Sequence, residues 1–227
     1  MDFFRFEDKE IDFPFYKDNP KLSVFKGFIL ILSIFLGFIL YFTNIPYLSA
    51  FLFILPMLIS LLYFLNWDFK TLFRKPSLKD IGLAILMVFA YAIYATAVSY
   101  MLESMGIMAF ANNANEVINI GYEFVFLLFS MMGEELVKII LFLIFLTLLF
   151  KFSDNRKLSI ILSMIFTLIL FGLFHAIGSS VIVAILIQGL GSVFHLLLYV
   201  KTKNIVVSYI SHFLTDFTIT FLQVMYF

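Results

Sequence analysis

Seven stretches of about twenty apolar residues follow one another along this chain, and that is the length an α-helix needs to cross the hydrocarbon core of a bilayer. They cover residues 26–42, 47–65, 81–102, 121–150, 158–175, 179–200 and 205–226. Composition agrees: with 63% hydrophobic residues, 13% charged and 32 Phe among 227 positions, there is too little polar surface to coat a soluble globule. The expected fold class is therefore all-α, a polytopic integral membrane protein with about seven transmembrane helices.

Lys and Arg mark alternate connections. Arg5, Lys9, Lys17, Lys21 and Lys26 come before or open the first stretch. Lys70, Arg74, Lys75 and Lys79 separate the second from the third, Lys151, Arg156 and Lys157 the fourth from the fifth, and Lys201 and Lys203 the sixth from the seventh. Segments 43–46, 103–120 and 176–178 carry none. By the positive-inside rule the N-terminus is cytoplasmic and the C-terminus extracytoplasmic, in a multi-pass protein of the cell membrane. Segment 103–120, with Asn112, Asn113 and Asn115, then lies outside. The first 25 residues alternate Asp2, Glu7, Asp8, Glu10, Asp12 and Asp18 with Phe3, Phe4, Phe6, Phe13 and Phe15. Lacking a basic signal-peptide start, they read as a cytoplasmic or interfacial tail with lipid-facing aromatics, and the first helix as an uncleaved anchor. Three parts result: the tail 1–25, transmembrane helices one to three over 26–120, and helices four to seven over 121–227. No inverted repeat relates the halves, which counts against a secondary transporter. A net charge of zero without a basic stripe leaves no footprint for nucleic acid. The absence of Cys removes disulfides, thiolate zinc sites and a Cys nucleophile together.

Against this background Glu134 and Glu135 stand out. A carboxylate at bilayer depth costs at least ~2.5 kcal/mol, and two adjacent ones mark a functional site. On a helix Lys138 is i+4 from Glu134 and i+3 from Glu135, so one carboxylate can be neutralised by an ion pair while the other stays free as a general base. The competing reading is a buried ion pair that only fixes packing. A second pattern runs Phe171-Gly172-Leu173-Phe174-His175, with Gly178 beyond it, and alone it reads as a packed or interfacial histidine. In the third, His212 and Asp216 fall one turn apart, a spacing that lets the carboxylate hold the imidazole, or a polar pair between helices. His195 has no polar partner at i±3 or i±4 and reads as interfacial. Counted from the basic ends at ~1.5 Å per residue, His212 lies shallow, His175 deep and Glu134 between them.

Taken together, Glu134-Glu135 on one helix, Phe171-x-x-x-His175 on the next and His212-x-x-x-Asp216 on a later one resemble the CPBP family of CAAX-prenyl-protease and bacteriocin-processing intramembrane endopeptidases. The resemblance covers about the last 110 residues. That family usually shows Glu-Glu-x-x-x-Arg, whereas here the Arg position is Ile139 and a Lys precedes it. Glu-Glu-x-x-Lys is similar to the motif of PrsW-like proteases, whose second motif, however, ends in Glu where this chain has His175.

The resemblance implies an intramembrane endopeptidase acting on a membrane-embedded peptide or lipoprotein. Glu134 would be the base, His175 would orient the water, Glu135 would pair with Lys138, and His212 with Asp216 would polarise the carbonyl. It equally admits a catalytic zinc on Glu134, His175 and His212, and the choice between metal and metal-free chemistry stays open. The family also contains non-proteolytic relatives, active in lipoprotein N-acylation or bacteriocin self-immunity. A proton-coupled carrier using Glu134, Glu135 and Asp216 is a further alternative. Heavy Phe, Ile and Lys usage points to an AT-rich bacterium.

Overall fold

The structure is a computed structural model and describes residues 7, 11–16, 20–108, 120–177 and 180–226. Its helices are α1 (Val24–Tyr41), α2 (Leu48–Phe64), α3 (Leu78–Ser104), α4 (Ile120–Ser153), α5 (Arg156–Phe174), α6 (Val181–Thr202) and α7 (Ile205–Tyr226), and there are no strands among the described residues. Each coincides with one of the seven apolar stretches, to within about three residues at either end. Six of them are long and apolar enough to cross a membrane, while α2 is shorter, at 17 residues. Local chemistry sets the ends. Ser77 and Asp80 form a capping box that starts α3, and Asn155 caps α5 by accepting from the Leu158 N–H.

Helix α4 forms the central wall, with Leu136, Val137, Ile139, Ile140, Phe142 and Leu143 all fully buried. It packs against α2, α5 and α7. At Gly133 the approach of α2 is so close that a Cβ would lie 2.2 Å from the Phe53 ring. On the other side Gly172 of α5 meets Ala184, Ile185 and Gly189 of α6 backbone to backbone. The first half of α6 is irregular there, a π-helical segment over Ala184–Gly189. The Leu186 carbonyl in this segment accepts from the Tyr94 hydroxyl of α3 at 2.7 Å, so the irregular backbone stays hydrogen-bonded at membrane depth.

The connection between α6 and α7 is recessed into the bundle. Tyr199, one turn before it, packs against Phe142 of α4, which lies eleven residues, roughly 16 Å, inward from Ser153. Lys203 turns the chain with φ +49°. Asn204 then caps α7 by accepting from the Val206 N–H and exchanges hydrogen bonds with the backbone of Arg74, while Ile205 N–H donates to the Leu72 carbonyl.

The N-terminal segment fills the space beneath that connection. Phe13, Phe15 and Tyr16 are buried, with Phe13 against Phe142 and Tyr199 and Tyr16 against Phe150. Glu7 pairs with the buried Lys203 at 2.9 Å and also with Arg156, which Asp12 contacts at 2.7 Å. These aromatics are thus core residues, and the expectation of a lipid-facing tail fails for them. Without a partner, the charge of Lys203 at this depth is costly, and Glu7 answers it. Asp2, Asp8, Glu10, Asp18, Arg5, Lys9, Lys17, Phe3, Phe4 and Phe6, together with Asn112, Asn113, Asn115 and Gly178, lie outside the described residues.

Candidate active site

Helices α4 and α5 form an antiparallel hairpin joined by Asp154 and Asn155. Residues equidistant from that turn lie side by side: Glu134 is nineteen residues before Ser153, and His175 nineteen after Arg156. Glu134 and His175 are therefore level, and the order of depths counted from the helix ends is corrected at this point. His212 reaches the same level because α7 starts from the recessed turn, not from the end of the bundle.

The two glutamates have different surroundings. Glu135 is fully buried. Its Oε1 pairs with Lys138 Nζ and stands 2.8 Å from His212 Nδ1, and its Oε2 accepts from the Ser208 hydroxyl. Lys138, also fully buried, has its ammonium 3.3 Å from His212 Nδ1 and 4.8 Å from the centre of the Phe171 ring. The carboxylate and the cation thus neutralise each other, with an imidazole and an aromatic face beside them, in a place closed to solvent, as buried charge requires. Lys138 reaches Glu135 across i+3, so a cation at this spacing suffices for the pair.

Glu134 points the other way and is partly accessible, its side chain 19% exposed. Its Oε2 lies 3.7 Å from Nε2 of His175 and 3.7 Å from Nε2 of His212. That is too long for direct hydrogen bonds and suits groups that share a water. His175 caps α5, and its Nδ1 lies 2.9 Å from the Phe171 carbonyl. With Nδ1–H donating there, Nε2 presents its lone pair toward Glu134. The Phe171 ring packs on that imidazole at 4.6 Å, so Phe171 serves both partners: ring to Lys138 and His175, carbonyl to His175. His212 Nε2 is also 3.1 Å from Asp216 Oδ2, and Asp216 is 30% exposed. The inner nitrogen of His212 therefore faces Glu135, and the outer one faces Glu134 and Asp216.

All the residues singled out from the sequence, Glu134, Glu135, Lys138, Phe171, His175, His212 and Asp216, converge on this one place. Three contributors were missed. Ser208 and Ser211 carry no signal beyond being small polar residues in α7. His195, read as interfacial, is instead 1% exposed and stacks on His212. Its partners come from a different helix, so a search for neighbours at i±3 and i±4 could not find them. Beside the site a cleft of about 430 Å³ opens between α3 and α7, lined by Tyr91, Ala95, Ser99, Thr215 and Leu222 among others.

A zinc ion on Glu134, His175 and His212 would need a lone pair from each histidine. Among the described residues no group of three or more His, Cys, Asp or Glu is arranged to hold a metal ion, so Glu134, His175 and His212 as placed do not form that site.

The fold and the site define a multi-pass helical membrane protein with a carboxylate–imidazole centre inside its bundle. Residues 117–218, from the start of α4 into α7, match the family model described as type II CAAX prenyl endopeptidase Rce1-like. That match agrees with the resemblance the three motifs carry, and it makes residues 117–218 similar to a membrane-protease domain. No curated protein and no solved structure matches the chain.

Proposed function

We propose that the protein is an intramembrane endopeptidase in which Glu134 activates water against a peptide bond, without metal. The observation that carries this reading is the placement of Glu134 Oε2, partly accessible and 3.7 Å from two imidazole nitrogens, beside a second glutamate already neutralised. A water among these groups gives one proton to Glu134 while His175 Nε2 accepts its other hydrogen, which aims the oxygen lone pair at the carbonyl carbon. As the C–O bond forms, the carbonyl oxygen becomes negative, and His212 Nε2–H turns its hydrogen bond from Asp216 to that oxygen. Glu135, on Nδ1, keeps the ring from tilting. Collapse of the tetrahedral species breaks the C–N bond, and Glu134 returns its proton to the leaving amine.

In this reading helices four to seven, 121–227, form the catalytic core. Helices one to three form its flank, and Glu7 with residues 11–16 of the tail braces the basic end. The cleft between α3 and α7 gives a membrane-embedded peptide or lipoprotein a lateral approach from the lipid. In this reading the N-terminus is cytoplasmic, as the positive-inside rule implies for these basic residues. Single-Cys variants of this Cys-free chain check that orientation: Ile177→Cys should react with an impermeant reagent on intact cells and Lys151→Cys only after lysis.

The experiment that tests the activity compares membrane proteomes of cells making the wild-type protein or Glu134→Gln. New peptide termini that appear only with the wild type support the endopeptidase. A mass increase on an intact lipoprotein replaces it with acyl transfer, where an amine attacks instead of water.

A further inference from the structure

His195 belongs to none of the three motifs, and the steps just described do not use it. Nevertheless it is the most enclosed of the three histidines, at 1% exposure. Its ring lies face to face with His212, centroids 4.8 Å apart and planes 24° apart. Tyr91 of α3 also packs against it, with centroids at 5.6 Å and planes at 30°. Rings from three helices, α3, α6 and α7, thus meet at His195.

Hydrogen bonds fix the His195 ring. The Ser211 hydroxyl donates to the Ala84 carbonyl at 3.1 Å, so its oxygen is left to accept from His195 Nδ1–H, 3.2 Å away. That chain joins α6 to α7 and α3 and sets the tautomer of His195. The backbone of the same residue is used as well: the Ser208 hydroxyl, which contacts Glu135 Oε2, lies 2.9 Å from the His195 carbonyl. His195 therefore meets the centre twice, by its ring through His212 and by its carbonyl through Ser208. An imidazole whose two nitrogens are held by carboxylates can still rock about the line joining them. A flat, fixed partner on its face removes that freedom, and orientation is what a hydrogen-bond donor to a developing oxyanion requires.

We propose that His195 is a positioning residue: packed against Tyr91 and stacked on His212, and pinned by Ser211, it sets the plane of the His212 ring so that Nδ1 meets Glu135 while Nε2 faces Glu134 and Asp216. The inference rests on the role given to His212 above, and its test has a readout that needs no substrate. With three histidines in the chain, NMR of isotope-labelled histidine in the full-length, detergent-solubilised protein reads each ring separately.

His195→Leu, which fills the space without a flat ring, should shift or broaden the His212 nitrogen signals and leave those of His175 in place. His195→Phe restores a ring and should return the His212 signals most of the way, and Ser211→Ala should move them less than His195→Leu does. Where cleavage is measured, kcat should fall roughly tenfold in His195→Leu with KM little changed, as for other groups that orient a ligand or base, and His195→Phe should recover most of it. Unmoved His212 signals in His195→Leu overturn the proposal, as does a shift that His195→Phe reproduces in full, because stacking is then not the cause. If His195→Leu does not fold, the same two criteria pass to His195→Phe and Ser211→Ala: His212 signals near wild type in the first and moderately shifted in the second uphold it, and any other pairing overturns it. A wild-type protein that cuts nothing removes the endopeptidase reading and still leaves the NMR comparison to decide this one.

Discussion

Glu134 and Glu135 are neighbours in sequence and of one chemical type, yet they occupy opposite kinds of environment. Successive helical residues are about 100° apart, so one carboxylate faces inward and the other toward the partly accessible side shared with His175 and His212. Glu135 has every one of its contacts inside the protein: Lys138, His212 and Ser208, with no exposed surface. Glu134 has two imidazole nitrogens at water-sharing distance and a side chain one-fifth exposed. The first arrangement holds charge still; the second leaves a carboxylate that, in the proposed mechanism, takes up and returns a proton.

The largest effect that would break this contrast comes from Lys138. Lys138→Met leaves Glu135 as an uncompensated buried charge, which costs about 3 to 5 kcal/mol. Folded yield and thermal unfolding in detergent should register that loss, with Lys138→Arg much milder. Equal stability of wild type and Lys138→Met would mean that the pair does no holding.

Glu134→Gln should show the opposite profile. Size and hydrogen bonding are kept and the general base is lost, so cleavage should fall by about 100-fold or more while stability stays near wild type. His175→Ala should reduce cleavage similarly, and combining it with Glu134→Gln should add little, since residues that act as one unit are not additive. A fully active Glu134→Gln would leave the ion pair as a structural feature only.

Asp216→Asn sharpens the contrast on its open side. Asp216 shares His212 Nε2 with the reacting groups, while Glu135 controls the other nitrogen, so a loss of about tenfold is expected, well short of that for Glu134→Gln. A loss as large as that of Glu134→Gln would make Asp216 a proton-transferring group in its own right.

The smallest effect expected lies at the basic end, where Glu7 answers Lys203. Glu7→Gln keeps a hydrogen-bonding partner but not the charge, and about 1 to 3 kcal/mol of stability should be lost. Glu7→Asp should recover part of it, as read by thermal unfolding. No change in Glu7→Gln would show that the tail does not hold the recessed turn in place.

Most of the architecture was legible because a bilayer permits so few solutions. Runs of about twenty apolar residues must be helices that cross it, and all seven were found close to their observed limits. The carboxylates and imidazoles of the site were legible for the same reason: polar groups at membrane depth are too costly to be there idly. Glu135 with Lys138, and His212 with Asp216, could be paired from spacing, since both partners share a helix. Even the meeting of Glu134 with His175 was implicit in their equal distance from the α4–α5 turn, though counting depth from each helix end alone concealed it.

The amino-acid sequence by itself thus determined the class of protein, the helices and the carboxylates and imidazoles that meet in the candidate site, through period and the cost of burial, both of which act locally. What only the tertiary structure decided depends on contacts between segments far apart in the chain. Recession of the α6–α7 turn raised His212 to Glu135. The acidic, aromatic N-terminal segment left the lipid surface to brace that turn, and His195 entered the core through Tyr91, Ser211 and His212. Period says which face of a helix is apolar. It does not say how far one helix slides along another, because that offset is set by packing over the whole interface, and a slide of a few ångströms decides which side chains meet.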